Sequence, residues 1–247
     1  MTLLKINSMN KNKSILIISH KLCYQVNNNS YQTFGGFPIQ IKAISELFQT
    51  TNLLVPVCNN IIINNGSPLL GNNLNIIPLT KPIGSGWVRK LLLPIWFLNN
   101  FLTLLNQYKK ADIIHAVVPG DIGFFGFLFA ILFRKHLIVR HCGTWAHNKT
   151  ISDFILYHLL LMFASKKIII LATGINSKPP ALNNPYINWI FSSSISSIEI
   201  GKQSKTISKT SYFRLITISR LVKEKNIQET VKSMSQLVKE FPNVIFT

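Results

Sequence analysis

The order of apolar and polar positions divides the chain into short, wholly apolar runs and longer stretches of helical periodicity. Ile15-Leu16-Ile17-Ile18 is apolar at every position before Ser19, as expected of a parallel strand covered on both faces. The polar stretch from His20 to Thr33 reads as a loop. After Gly35-Gly36, Phe37, Ile41, Ile44 and Phe48 recur at helical spacing, with Pro38 in the first turn, where its missing N–H is tolerated. Leu53–Val57 and Leu74–Leu79 read as strands, and Trp87–Tyr108 as a long helix with Pro94 as its bending point. Asp112–Val118 is a buried strand ended by Pro119-Gly120, with Asp121 placed to cap the apolar helix that follows. His136–Arg140, Lys167–Ala172 and Tyr186–Phe191 are further strands, and Ser152 stands where it can cap a helix reaching Phe163. Strands alternating with helices predict an α/β fold, a Rossmann-like doubly wound parallel sheet.

Residues 201–211, GKQSKTISKTS, lose all hydrophobic periodicity and read as a linker. They separate an N-terminal Rossmann-like domain at 1–200 from a second region at 212–247. In that region Phe213–Ile218 and Val244–Phe246 read as strands. Asn226–Phe241 is amphipathic, with Ile227, Val231, Met234 and Leu237-Val238 on one stripe. One helix and two strands cannot bury their own faces. The second region therefore reads as the truncated start of another Rossmann-like domain.

Composition narrows the class. With 47% hydrophobic residues among 247, the chain is no disordered segment, and three cysteines are too few for a disulfide scaffold. Their odd number and wide spacing fit a reducing compartment, and MTLLKINSMNKNKS lacks the apolar core of a signal peptide. The expected location is cytoplasmic. Lys and Arg number 26 against 8 acids, a net charge of +18. That balance favours anionic partners, although a chain so rich in Asn, Ile and Lys also fits the bias of an AT-rich genome. No nucleic-acid-binding motif accompanies the charge, so nucleic acid is not an expected partner. Few carboxylates leave little room for chemistry built on paired acids. No segment reads as a bilayer span. Ile122–Phe133 is about half the roughly 20 residues required, and Leu91–Leu105 is interrupted by Pro94 and Asn99-Asn100.

The candidate chemistry sits at strand ends. Gly35 and Gly36 lie in a strand-to-helix connection, where two residues without Cβ atoms let backbone N–H groups approach a phosphate. The alternative is an ordinary loop. His115 ends one buried strand and His141 the next, so both are placed to line one crevice as hydrogen-bond donors or bases. Either one equally suits a buried histidine satisfied by the backbone. Trp145 can stack on a sugar. His136, His141, Cys142 and His147 cluster in sequence but match no zinc spacing, and no metal is expected. Cys142 as a nucleophile has no companion to activate it. Arg220 and Lys225 flank a strand-to-helix turn, which suits a diphosphate, or are solvated charges in a lysine-rich chain.

Four segments carry a likeness. ILIIS with FGGFPIQ, ADIIHAVVPG, HLIVRHCGTW and SRLVKEKNIQETVKSMSQLVKEFPNV resemble, in order, conserved-pattern segments of the retaining GT-B glycosyltransferases of family 4. The last corresponds to the pattern Gly-Arg-Leu-x-x-x-Lys-Gly. The resemblance implies transfer of a sugar from a nucleotide-sugar donor to a glycan or lipid-linked acceptor, as in polysaccharide biosynthesis, between two Rossmann-like domains and without a metal cofactor. It implies that Gly35 and Gly36 approach the donor phosphates, that His115 and His141 line the cleft, and that Arg220 and Lys225 hold the diphosphate and stabilise the leaving group. The chain departs from the pattern at Ser219 and Asn226, where the family has glycines, and at Gln40 and Val117, where it often has histidines. The family's donor-binding Glu-x7-Glu segment would fall beyond residue 247, so little or no turnover is expected of these 247 residues. The alternative is a non-enzymatic basic α/β domain that binds an anionic membrane surface, on the inner face of the cell membrane, or a partner chain. Phe124–Phe133 and the charge motivate that reading.

Overall fold

A computed structural model describes residues 12–27, 29–59, 66–146, 150–174, 176, 178–191, 213–219, 221 and 225–246. The linker expected at 201–211 and Arg220 lie outside the described residues. The chain divides into two compact units, Met1–Ser196 and Ser197–Thr247.

The elements of the first unit run β1 (Ser14–Ile18), β2 (Cys23–Asn27), β3 (Ser30–Thr33), α1 (Phe37–Ser45), β4 (Thr50–Cys58), β5 (Ser67–Pro68), β6 (Leu74–Leu79), α2 (Gly86–Lys110), β7 (Ile113–Val118), α3 (Asp121–Leu132), β8 (His136–His141), α4 (Ile151–Phe163), β9 (Ile168–Thr173) and β10 (Ile187–Ile190). These ten strands form one mostly parallel sheet, ordered β10-β9-β8-β7-β1-β4-β2-β3-β5, with β6 also paired to β4. It is an α/β fold consistent with a Rossmann-like arrangement. The apolar run of β1 occupies the centre, paired with β4 on one side and β7 on the other, and Ile15 to Ile18 are almost wholly buried. Alternate residues feed two cores. Leu16, Ile18, Ile114 and Ala116 pack with α2, α3 and α4, whereas Ile15, Ile17 and Leu53 pack with Ile41 of α1.

Helix α3 approaches the sheet closely because its inner face carries glycine. A Cβ on Gly123 would stand 1.8 Å from the Val117 carbonyl oxygen, and one on Gly126 3.3 Å from Ile18. Phe125 and Phe129 of α3 turn to α2. Phe125 stacks on Phe97 at 5.1 Å, Phe129 meets Tyr108 at 5.3 Å, and Phe127 is fully buried. The Tyr108 hydroxyl donates to the Gly126 carbonyl at 2.9 Å, and burial holds its pKa well above the ordinary tyrosine value.

Several local expectations give way. The polar stretch before Gly35 holds the β2–β3 hairpin, because Cys23 and Thr33 turn inward and the Thr33 hydroxyl donates to the Leu22 carbonyl at 2.7 Å. Gly120, not Asp121, is the N-cap of α3. Helix α4 is capped by Thr150 in a capping box with Asp153, not by Ser152. Pro94 and Asn100 do not interrupt α2, a continuous helix of 25 residues that is apolar and long enough to cross a membrane. Asn100 is tolerated because it is buried and satisfied. Its amide donates to the Trp96 carbonyl and the Thr80 hydroxyl, both at 2.7 Å, and its carbonyl accepts from the Thr80 N–H at 3.1 Å.

The second unit holds β11 (Phe213–Leu215), α5 (Ile227–Glu240) and β12 (Val244–Phe246). Its two strands pair in parallel, and no residue of α5 is buried.

Candidate functional site

Strand order reverses between β1 and β7. From β1 the sheet grows outward to β4 and β6, and the chain then returns to the far side of β1 to lay down β7, β8, β9 and β10. At such a point the connections leave toward opposite faces and open a crevice beyond the carboxyl ends of the strands. Here α1 packs on one face and α3 on the other.

The crevice floor is built by the segments that leave β1 and β7. His20 follows β1, and its ring lies against Gly120, where an added Cβ would stand 2.5 Å from His20 Nδ1. Gly120 has φ +151°, a conformation that disfavours a side chain independently of this contact. Asp121 pairs with Arg89 of α2, Nε to Oδ2 at 2.7 Å, as an ion pair with no hydrogen bond from that N–H. Partial burial lowers the His20 pKa; Arg89 lowers it further and Asp121 opposes the shift. His20 is therefore neutral at pH 7 and able to accept or donate. A cavity of about 320 Å³ opens beside this floor, lined by Pro119, Gly120, Asp121, Phe124 and residues of α4.

On the α1 side, Gly35 takes φ +79° with open space where a Cβ would point, and Gly36 is the N-cap of α1 with no side chain capping it. Gln40, in the next turn, accepts a short hydrogen bond from the Arg140 guanidinium. Arg140 lies near the carboxyl end of β8, so this contact brings the start of α1 to the end of the sheet that carries the crevice. One cation and one glycine-lined helix start thus share this corner.

The structure separates the two expected histidines. His115 pairs in register with Ile138 and His141 with Val118. Three strand positions therefore divide them, about 10 Å along the sheet, and odd spacing sends their side chains to opposite faces. His115 is not at a strand end. It is the third residue of β7, 5% exposed, hydrogen-bonded to the Ile138 backbone, with its pKa pushed down to about 4 by burial and then by Arg140. His141 does close β8. Its Nδ1 lies 3.2 Å from the Gly143 carbonyl oxygen, and burial lowers its pKa. Trp145 meets His141 edge-on at 5.3 Å, but it is 8% exposed and packed on Tyr157, and its indole N–H donates to the Pro180 carbonyl at 3.1 Å. Instead of presenting a stacking face, it anchors the loop after β8. Burial pushes the Cys142 thiol above its ordinary pKa, the reverse of what a thiolate nucleophile requires.

Lys225 is exposed in the second unit, immediately before Asn226, whose left-handed backbone (φ 51°) starts α5. No group of three metal-ligating side chains occurs among the described residues. His20, Arg89 and Arg140 are site residues to which sequence reading gave no role, whereas Gln40 entered it only as a departure from the family pattern and Asp121 only as a candidate cap. Arg140 left a trace as a charge near the end of an otherwise apolar strand. Compared with known proteins, the chain matches no family model and no curated relative.

Proposed function

We propose that the chain carries the acceptor-side domain and part of the donor domain of a retaining glycosyltransferase of the GT-B type. It would transfer a sugar from a nucleotide-sugar donor to a glycan or lipid-linked acceptor. The observation that carries this reading is the reversal of strand order between β1 and β7, with Gly35 and Gly36 brought to the same end of the sheet by the Gln40–Arg140 contact. The order of the four resembling sequence segments supports it independently.

In this reading the N–H groups at the start of α1 face the donor diphosphate, and Arg220 and Lys225 neutralise the charge that develops on the leaving group. This electrostatic role asks for cations and not for paired carboxylates. His115, buried within β7 and hydrogen-bonded to the Ile138 backbone, is in this reading a structural residue of the strand that does not reach substrate. His141, which closes β8, and His20, which follows β1, have lowered pKa values and in this reading suit hydrogen-bonding to sugar hydroxyls.

Titration of the full chain with nucleoside diphosphate sugars, followed by calorimetry, tests the proposal. Binding is expected to weaken about tenfold in Arg220→Ala, by loss of charge-assisted contacts, and in Gly35→Val, which crowds the phosphate approach. Absence of binding to any nucleotide sugar by the folded chain, or binding indifferent to both substitutions, would overturn it.

A further inference from the structure

Helix α2 is apolar on two opposite faces. Trp96, Leu104 and Tyr108 turn inward and are buried. On the other side Trp87, Leu91, Ile95, Leu98 and Leu102 recur every three or four positions and are 80%, 77%, 56%, 70% and 72% exposed. Five large side chains in one stripe, about 22 Å long at 1.5 Å per residue, exceed the scattered apolar exposure normal on a protein surface.

Charge indicates what covers this stripe. Helix α2 contains no acidic residue. Lys90 stands over the Trp87 ring at 4.9 Å, at one end of the stripe, and Lys109 and Lys110 close the helix about two turns beyond the other end, in a chain of net charge +18. A second copy docked in parallel along the stripe would bring Lys90 against Lys90 of its partner, and an antiparallel one would set it beside Asn99, so in neither case does the helix offer a carboxylate to pair with it. An anionic lipid surface answers both features, since acyl chains accept the apolar stripe and headgroups accept the lysines. The helix cannot leave the domain to span a bilayer without cost. The Trp96 indole donates to the Thr80 carbonyl at 2.6 Å, and the Tyr108 hydroxyl and Asn100 are tied to the rest of the unit in the same way.

We infer that α2 is a membrane-docking helix, lying in the plane of an anionic bilayer with its Trp87–Leu102 stripe in the interfacial layer and its inner face still packed on the sheet. This surface is distinct from Phe124–Phe133, where Phe125 and Phe129 meet α2 and Phe127 packs on Phe163 of α4. It stands whether or not the chain transfers sugar.

Flotation of the full chain with vesicles tests it, using phosphatidylcholine alone and phosphatidylcholine with about one third phosphatidylserine. The chain should float with the anionic vesicles, less so as salt rises. Leu91→Ser combined with Leu98→Ser should reduce that partition by about tenfold or more, through loss of two buried leucines, while circular dichroism stays unchanged because both side chains are exposed in the domain. As a second readout, Trp87 fluorescence should shift to the blue with vesicles and not in Trp87→Phe. Equal flotation of wild type and the double variant would overturn the inference. So would no flotation together with a dimer, seen by light scattering, that the double variant dissociates; a second copy would then be the occupant.

Discussion

At His115 the fold holds an imidazole away from water and beside a guanidinium. The unfolded chain protonates this ring near the ordinary value of 6.5, the folded chain only at about 4. Between these values the unfolded state holds the extra proton, so the contribution to stability is complete above pH 6.5 and is lost as pH falls toward 4. His20 and His141, also lowered, act in the same direction. The difference between wild type and His115→Gln isolates one ring. Urea denaturation between pH 7 and 4 should show wild-type stability falling more steeply than that of the variant, by a few kcal/mol across the interval. Parallel profiles would show that the ring takes up its proton alike in the folded and the unfolded chain.

At the scale of the element, α4 depends on a start signal that its own sequence supplies. The Thr150 hydroxyl accepts from the Asp153 N–H at 3.2 Å, and the Asp153 carboxylate accepts from the Thr150 N–H at 3.1 Å. Thr150→Ala removes one half of this exchange and should cost about 1 kcal/mol, read as a lowered urea midpoint at unchanged slope; Ser152→Ala should cost less. The cap also shows where sequence reading reaches its limit. A wholly apolar run announced β1, and largely apolar runs β7 and β8, because burial of a parallel strand leaves little choice of composition. The hairpin of β2 and β3 was hidden, because only Cys23 and Thr33 turn fully inward and the other positions are polar or half-buried. Asn100 suggested a break in α2, because its partners Thr80 and Trp96 become visible only once β6 and α2 are packed together. The crevice was legible as a place, at the ends of apolar strands. Its occupants were not, because the face on which a side chain emerges depends on register, and an offset of three strand positions puts His115 and His141 on opposite faces.

At the scale of the whole molecule, the two units differ in how much apolar surface they hide. The first has two cores that contain the interiors of β1, β4 and β7. In the second, Phe213, Val231 and Phe241 are 70%, 54% and 53% exposed, and no residue of α5 is buried. Local opening free energy follows buried contact. Amide hydrogen exchange should therefore complete in α5, β11 and β12 at least about a hundredfold sooner than in β1 and β7; comparable protection would mean that α5 is packed in solution.

The amino ends of the two central strands are joined by Asp112, whose carboxylate accepts from the Ser14 N–H and hydroxyl, both at 2.8 Å, across 98 residues. Those hydrogen bonds draw its pKa down and keep it ionised. The same separation sets a schedule for synthesis. At 5–20 residues per second, β1 waits roughly 5–20 s after emerging before β7 exists to cover its second edge. In that interval one edge of this central strand is open to any passing chain, and its nearest legitimate partner, β4, covers only the other. Yield of soluble protein should therefore track the rate of translation between codons 14 and 118 more closely than the stability of the finished fold.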